Sequence, residues 1–328
     1  MPLETKPVIE VDDLTVRFRR REGELSAVNG VSFSLAPGEV LTILGESGSG
    51  KSVTLKAMMG LLPPYAHISG SVRLDGTNIV DLPPPQLARL RGRRLSMIFQ
   101  EPMAALDPVY TIGEQIAETI VQHEGIGKAA AMKRALELLE RVAIPSAARR
   151  LKNFPHEMSG GMRQRAMIAL ALACNPSVLL ADEPTTALDV TVQIQILLLL
   201  RQITGELGMA VVFVTHDIGV AAEISDRIAV MYAGRFVETG TVREVMRARR
   251  HPYTAGLLAS TVHGGLRGQE LDTIPGAPPS LANLPRGCAF APRCREASEQ
   301  CLIADPPVVA FGKGAMARCV RAAELEPA

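Results

Sequence analysis

The stretch Gly45-Glu46-Ser47-Gly48-Ser49-Gly50-Lys51-Ser52 fits the pattern G-x-x-x-x-G-K-[ST]. Residues 40–44 before it are a short apolar run that reads as a fully buried parallel strand, and a helix-compatible run follows. In that context glycines let the backbone wrap close to phosphate oxygens. The loop N–H groups and the next helix N-terminus then face the anion. Lys51 is placed to reach β- and γ-phosphates, and Ser52 to ligate Mg²⁺.

On the N-terminal side, residues 8–11, 14–18 and 31–35 alternate or run apolar and read as strands. Pro37-Gly38-Glu39 reads as a turn. Near 108–172 the texture changes. Met132, Ala135, Leu136, Leu139 and Val142 recur at helical spacing with charges between them. Buried strands return at 178–181, 210–215 and 227–232, with a helix over 191–207. Strands alternating with helices predict an α/β core with a mainly parallel sheet. After about residue 248, Pro and Gly become frequent and periodicity fades. The expected division is therefore 1–248, with a helical subdomain of about 104–172 inserted, and a C-terminal extension over 249–328. The core motifs occur once, so the chain carries one engine.

The strand at 178–181 ends in Asp182 and Glu183. Asp182 suits a Mg²⁺ shell, and Glu183 is placed to polarise an attacking water. Acidic caps on an exposed strand end are the plainer reading, which weakens downstream of a phosphate loop. Ser159-Gly160-Gly161-Met162-Arg163-Gln164 opens a helical run. Ser159 can cap that helix, but two glycines there cost helix stability. A second phosphate-binding helix end accounts for them, and one chain has little use for two unless the second serves a neighbouring subunit.

These features, in this order, resemble the ATP-binding cassette (ABC) ATPase subunits over residues of about 8–245. The resemblance implies ATP and Mg²⁺ as ligands. It also implies a P-loop NTPase cassette with a mainly parallel core sheet, an N-terminal antiparallel β subdomain and the helical insertion. Two subunits would sandwich two ATP molecules, with Ser159, Gly160 and Gly161 contacting the γ-phosphate held by the opposite one. Gln100 matches the loop that senses Mg²⁺ and the membrane partner. Asp189, in Ala187-Leu188-Asp189, matches the loop that couples the two sites, and His216 the switch histidine on the γ-phosphate. By the same resemblance Phe18 stacks on adenine, with a core phenylalanine as the alternative. The implied partners are a second ATPase subunit (a related chain or a second copy), two membrane permease subunits and, indirectly, a solute-binding protein.

Two departures narrow the branch. Met158 and Met162 stand where leucine and glutamine are commonest, and this form resembles the peptide importers. Residues 100–108 resemble that branch too, although Ala104 and Ala105 replace more usual hydroxyl residues. His251-Pro252-Tyr253-Thr254 resembles the extension of the oligopeptide, dipeptide and nickel importers, with His251 in a structural role. Cys288, Cys294, Cys301 and Cys319 follow with spacing C-x5-C-x6-C-x17-C. Zinc, a [4Fe–4S] cluster and unligated thiols are the three readings; the short knuckle common in zinc sites is missing, and some members of the branch hold the cluster. Cys174 sits in an apolar helical run and reads as packing.

Composition bounds the rest. The chain has 328 residues, 47% of them hydrophobic, and a net charge of +1. That content supports a sizeable core, and the charge gives no reason to expect nucleic acid as a partner. The basic runs Arg17, Arg19, Arg20, Arg21 and 89–94 read as solvated surface. No segment reaches the roughly 18 to 20 apolar residues of a membrane span, and no secretory signal is read at the N-terminus. The expected location is the cytoplasmic face of the cell membrane, docked on other subunits. Import of di- or oligopeptides is the expected function. Import of nickel or another small solute, and a soluble non-transport ABC ATPase, are the alternatives.

Overall fold

The computed structural model describes residues 6–20, 23–260, 273–312 and 314–322, so Arg21 lies outside the described residues. Strands β1 (Ile9–Arg20), β2 (Gly23–Leu35) and β3 (Val40–Leu44) come first, and β3 leads to helix α1 (Lys51–Met58). β4 (Ala66–Leu74), β5 (Thr77–Asn78), α2 (Pro84–Leu90) and β6 (Leu95–Ile98) follow. A helical stretch comes next: α3 (Pro102–Ala105), α4 (Ile112–Glu124), α5 (Lys128–Arg141), α6 (Ala147–Arg150) and α7 (Gly160–Ala171). Alternation resumes with β7 (Val178–Asp182), α8 (Val190–Leu207), β8 (Ala210–Thr215), α9 (Ile218–Ile224), β9 (Arg227–Tyr232), β10 (Arg235–Thr241) and α10 (Val242–Ala248). The C-terminal part holds α11 (Pro252–Ala259), α12 (Gln300–Ile303), β11 (Val308–Ala310) and β12 (Met316–Arg318).

The expected strands at 8–11 and 14–18 are one strand. Asp13 adopts φ 48° in its middle. Ile9 and Val11 are buried before it, Leu14 and Val16 after it, so the alternation changes phase across the exposed Asp12–Asp13 pair. That irregularity reads as a turn when only the pattern is available.

Two compact units are present. The first is drawn from Met1–Glu10, Ser34–Glu39 and Arg73–Phe213. In it the strands run in the order β8-β7-β6, and β6 pairs parallel with β7 from Leu95↔Val178 to Ile98↔Ala181. All residues of these strands are buried, which is why β7 and β8 read as apolar runs, whereas the short β6, which carries Ser96, is not legible as a strand in the sequence. The helical insertion packs α4 on α5 through Ile112, Ile116 and Ile120 on one side and Ala131, Ala135, Leu138 and Leu139 on the other. A capping box of Thr111 and Glu114 starts α4.

The second unit is drawn from Val11–Phe33, Val40–Val72 and Val214–Ala328. Here the strand order is β11-β12-β10-β9-β3. β3 pairs parallel with β9 from Leu41↔Arg227 to Leu44↔Val230. β9 and β10 form an antiparallel pair, β12 pairs antiparallel with β10 at Glu238↔Ala317, and β11 pairs with β12. The C-terminal residues thus extend the sheet that carries β3. They also share its core, where Leu44, Val230 and Tyr232 pack with Tyr253, Leu258 and Phe290.

The start of the C-terminal part is fixed by buried polar groups. Both carboxylate oxygens of Glu238 accept backbone N–H bonds, from Arg250 and His251, at 2.9 Å each. Burial raises that carboxyl above its ordinary range. Nδ1 of His251 accepts from the Tyr253 N–H at 3.0 Å and caps α11, with Pro252 at the first helical position. Burial depresses the imidazole to about 3, so it is neutral. His251 is therefore structural, as the sequence suggested. No helix among the described residues is long and apolar enough to cross a membrane.

Candidate functional site

In the second unit, the fully buried β3 delivers the chain to Gly45. A Cβ at Gly45 would lie 2.2 Å from the Met231 carbonyl oxygen, so no larger residue fits. Gly50 closes the loop at φ +108°, a backbone region open to glycine, and a Cβ there would meet the Ala27 oxygen at 2.5 Å. Gly50 also supplies no side-chain cap to α1. Ser47 and Gly48 are exposed at the tip, Ser49 is buried, and Ser52 is half-buried on the first turn of α1. Lys51 folds back over the loop: Nζ donates to the carbonyls of Gly45 (2.7 Å) and Glu46 (3.0 Å). The Gly45 N–H donates to the Thr215 carbonyl at 3.4 Å, which puts the end of β8 beside the loop. The next residue, His216, is exposed.

Phe18, half-buried on β1, lies 6.0 Å from the ring of Tyr65, which is 62% exposed. Sequence reasoning missed Tyr65 and Arg293, and took Tyr253 only as part of the extension's marker motif. The Tyr253 hydroxyl accepts from the Glu46 N–H, and Arg293 pairs with the Glu46 carboxylate.

In the first unit, β7 ends in the buried Asp182. Glu183 follows at φ 44°, an unusual conformation for a side-chain-bearing residue and one that clusters at functional sites. Its Oε2 accepts from Gln100 Nε2 at 3.4 Å and from Thr186 Oγ1 at 2.9 Å. The fold therefore brings Gln100 and Glu183 together across 83 residues. Thr186 was also missed, and its signal is a hydroxyl three positions past an acid at a strand end.

Ser159 caps α7, its Oγ accepting from the Met162 N–H at 3.4 Å. Asp189 caps α8, Oδ1 accepting from the Val192 N–H at 2.9 Å. The two caps are neighbours. A Cβ at Gly161 would come within 2.9 Å of Val192 Cγ1, whereas one at Gly160 meets nothing within 4 Å.

All five cysteines are free thiols. Cys288, Cys294, Cys301 and Cys319 line one small cavity with Phe290, Ala291 and Pro306. Burial pushes the Cys288 thiol up to about 11 and raises Cys294 and Cys319, so the protonated form is favoured. Among the described residues, no three His, Cys, Asp or Glu side chains are grouped so as to hold a metal ion.

Residues 28–186 match the family model described as "ABC transporter". The chain belongs to the ABC transporter family. Residues 237–301 of this cassette also match "Oligopeptide/dipeptide transporter, C-terminal region". The oligopeptide transport ATP-binding protein OppD of Salmonella typhimurium is 48% identical, with 98% of this chain and 96% of that protein covered. OppD of Haemophilus influenzae is 46% identical over 97% of this chain and 98% of its own length. OppD of Mycobacterium tuberculosis is 50% identical over 96% of this chain but only 52% of its own length. Among solved structures, the dimeric ATP-binding cassette MJ0796 in a post-hydrolysis state bound to ADP and Pi is similar. Its TM-score is 0.65 at 32% identity, covering 72% of this chain and 99% of that one. The expected fold class is borne out by these likenesses, and the chain is an ABC-type ATPase.

Proposed function

We propose that this cassette hydrolyses ATP to power the import of di- or oligopeptides, working at the cytoplasmic face of the cell membrane. The observation that carries the hydrolytic reading is Glu183, held at a left-handed backbone position with one oxygen bonded by Gln100 and Thr186. A carboxylate fixed in this way is ready to orient and polarise water for in-line attack on a γ-phosphate. The match of residues 237–301 to a peptide-transporter region supports the cargo class.

In this reading the backbone of residues 45–50 cradles the phosphates and Lys51 stabilises charge as it grows on them. His216 contacts the γ-phosphate, and Phe18 stacks on adenine. Ser52, Gln100 and Asp182 are the groups that would hold Mg²⁺, which supplies charge neutralisation at the phosphate oxygens. Ser159, Gly160 and Gly161 serve the nucleotide of a second ATPase subunit, a related chain or a second copy, and Asp189 couples the two sites. The cassette spans 1–248, and 249–328 is the importer-type extension. Two permease subunits dock on the helical insertion, whose Val109 and Tyr110 are exposed. A solute-binding protein selects cargo upstream of them. Cys288, Cys294, Cys301 and Cys319 are the thiols that would hold a [4Fe–4S] cluster: all four line one cavity walled by Phe290, Ala291 and Pro306, although in this structure no three of them are grouped as metal ligands.

Glu183→Gln tests the hydrolytic reading. It should lower ATP turnover by at least about a hundredfold, keep ATP binding, and accumulate a closed dimer on size-exclusion chromatography with ATP. Normal hydrolysis by that variant would show the catalytic assignment to be wrong.

A further inference from the structure

Residue 46 is an unusual place for a negative charge. It stands in a loop whose N–H groups are arranged for anions, and a free carboxylate there would repel an incoming triphosphate. Arg293 answers that charge from 247 residues away: Nη1 donates to Oε2 at 2.7 Å and Nη2 to Oε1 at 3.0 Å, a bidentate pair. The guanidinium is itself anchored. Its Nε donates to the Pro275 carbonyl at 2.8 Å and its Nη1 also reaches the Tyr232 hydroxyl at 3.3 Å. The Arg293 side chain is 5% exposed and that of Glu46 29%, so the pair is partly shielded from water. The Glu46 carboxylate raises the guanidinium further above its ordinary range.

The backbone of residue 46 is held separately. Its N–H donates to Tyr253 Oη at 3.0 Å. Tyr253 is fully buried, and its ring packs against Tyr232 (4.6 Å between centroids) and Phe290 (5.3 Å). One residue of the phosphate loop is thus held by two residues of the C-terminal extension, one through its peptide and one through its charge.

We infer that Tyr253 and Arg293 are positioning residues for the phosphate loop, so that the C-terminal extension sets the affinity of the nucleotide site. This rests on the reading of residues 45–52 as the ATP loop. Arg293 draws the Glu46 carboxylate aside and cancels its charge, and Tyr253 fixes the direction of the Glu46 peptide. Neither touches the reacting atoms, so both act on binding rather than on the chemical step. An ordinary structural ion pair would alter folding without this selectivity.

The test uses the full-length chain with a fluorescent ATP analogue for Kd and phosphate release for kcat and KM. Arg293→Gln leaves Glu46 unpaired beside the triphosphate, and Kd and KM should rise roughly fivefold to twentyfold with kcat changed less than about twofold. Adding Glu46→Gln to that variant removes the uncompensated charge, and affinity should return to within about threefold of the wild type. Tyr253→Phe removes only the hydroxyl that accepts from the Glu46 N–H, and Kd should rise about threefold to tenfold with kcat changed less than about twofold, so it decides the matter even if Arg293→Gln does not fold. Wild-type affinity in Arg293→Gln, no recovery in the double variant, or wild-type affinity in Tyr253→Phe would each overturn the inference. A wild-type chain that binds no ATP would instead overturn the reading of the loop itself.

Discussion

The two glycines that open α7 look interchangeable in the sequence, and their surroundings separate them. At Gly160 a methyl group meets nothing within 4 Å. Gly160→Ala removes the conformational freedom of an exposed glycine at a helix start, and should stabilise the fold by up to about 1 kcal/mol. At Gly161 the methyl lands 2.9 Å from Val192 Cγ1. Val192 is tied through its N–H to the Asp189 carboxylate, so it yields only by disturbing the α8 cap. Overpacking of this kind costs about 1–3 kcal/mol, which offsets the helix gain of up to about 1 kcal/mol and leaves a net loss of up to about 2 kcal/mol. The two variants should therefore shift the thermal unfolding midpoint in opposite directions. Phosphate release should fall in both, by at least about tenfold in Gly160→Ala, because its methyl intrudes where the α7 N–H groups meet the partner's phosphate. A more stable Gly160→Ala that hydrolyses ATP at the wild-type rate would refute the assignment of this helix end to phosphate.

Three further outcomes are expected. His251 is depressed to about 3 from an ordinary 6.5, so its contribution is present above pH 6.5 and is lost as pH falls toward 3. Between pH 7 and pH 5 the wild type should lose about 2 kcal/mol that His251→Asn, whose amide oxygen can still cap α11, does not lose. Urea unfolding followed by tyrosine emission reads this directly, since the chain has four tyrosines and no tryptophan, and two of the four are in the Tyr232–Tyr253 cluster. Thr186→Val removes one of the bonds that aim the Glu183 carboxylate, and kcat should fall about tenfold with KM for ATP little changed. Protein purified without oxygen should be brown and contain iron, and replacing Cys288, Cys294, Cys301 and Cys319 by serine should remove both colour and iron. Colourless wild-type protein with neither iron nor zinc on elemental analysis would sink the cluster proposal.

Much of the first-unit and central architecture was legible because it is buried on both faces. Residues 40–44, 210–215 and 227–232 carry no surface pattern to confuse them, and each strand begins and ends where the apolar run does. The phosphate loop was equally plain, since its glycines answer to local backbone geometry. β1 was split because the alternation changes phase at Asp12 and Asp13, although the strand itself runs on through them. β11 and β12 are three residues each, too short to show any period. Tyr253 and Arg293 belong to a part of the chain where periodicity fades, and their partner at position 46 lies more than 200 residues earlier. Only a fold can make such a pair visible.

The pairing of β12 with β10 has a consequence for how such chains can be recombined. A chain cut near residue 248 would leave the Glu238–Thr239 edge without its neighbour and the Tyr232 face without Tyr253 and Phe290. Such a fragment offers a bare strand to any other bare strand, which is a route to aggregation. Nor can the tail be exchanged between relatives as a cartridge. Glu46 and Arg293 stand 247 residues apart in the chain yet share one pair of hydrogen bonds, so a graft that brings a new residue at one position should bring its match at the other.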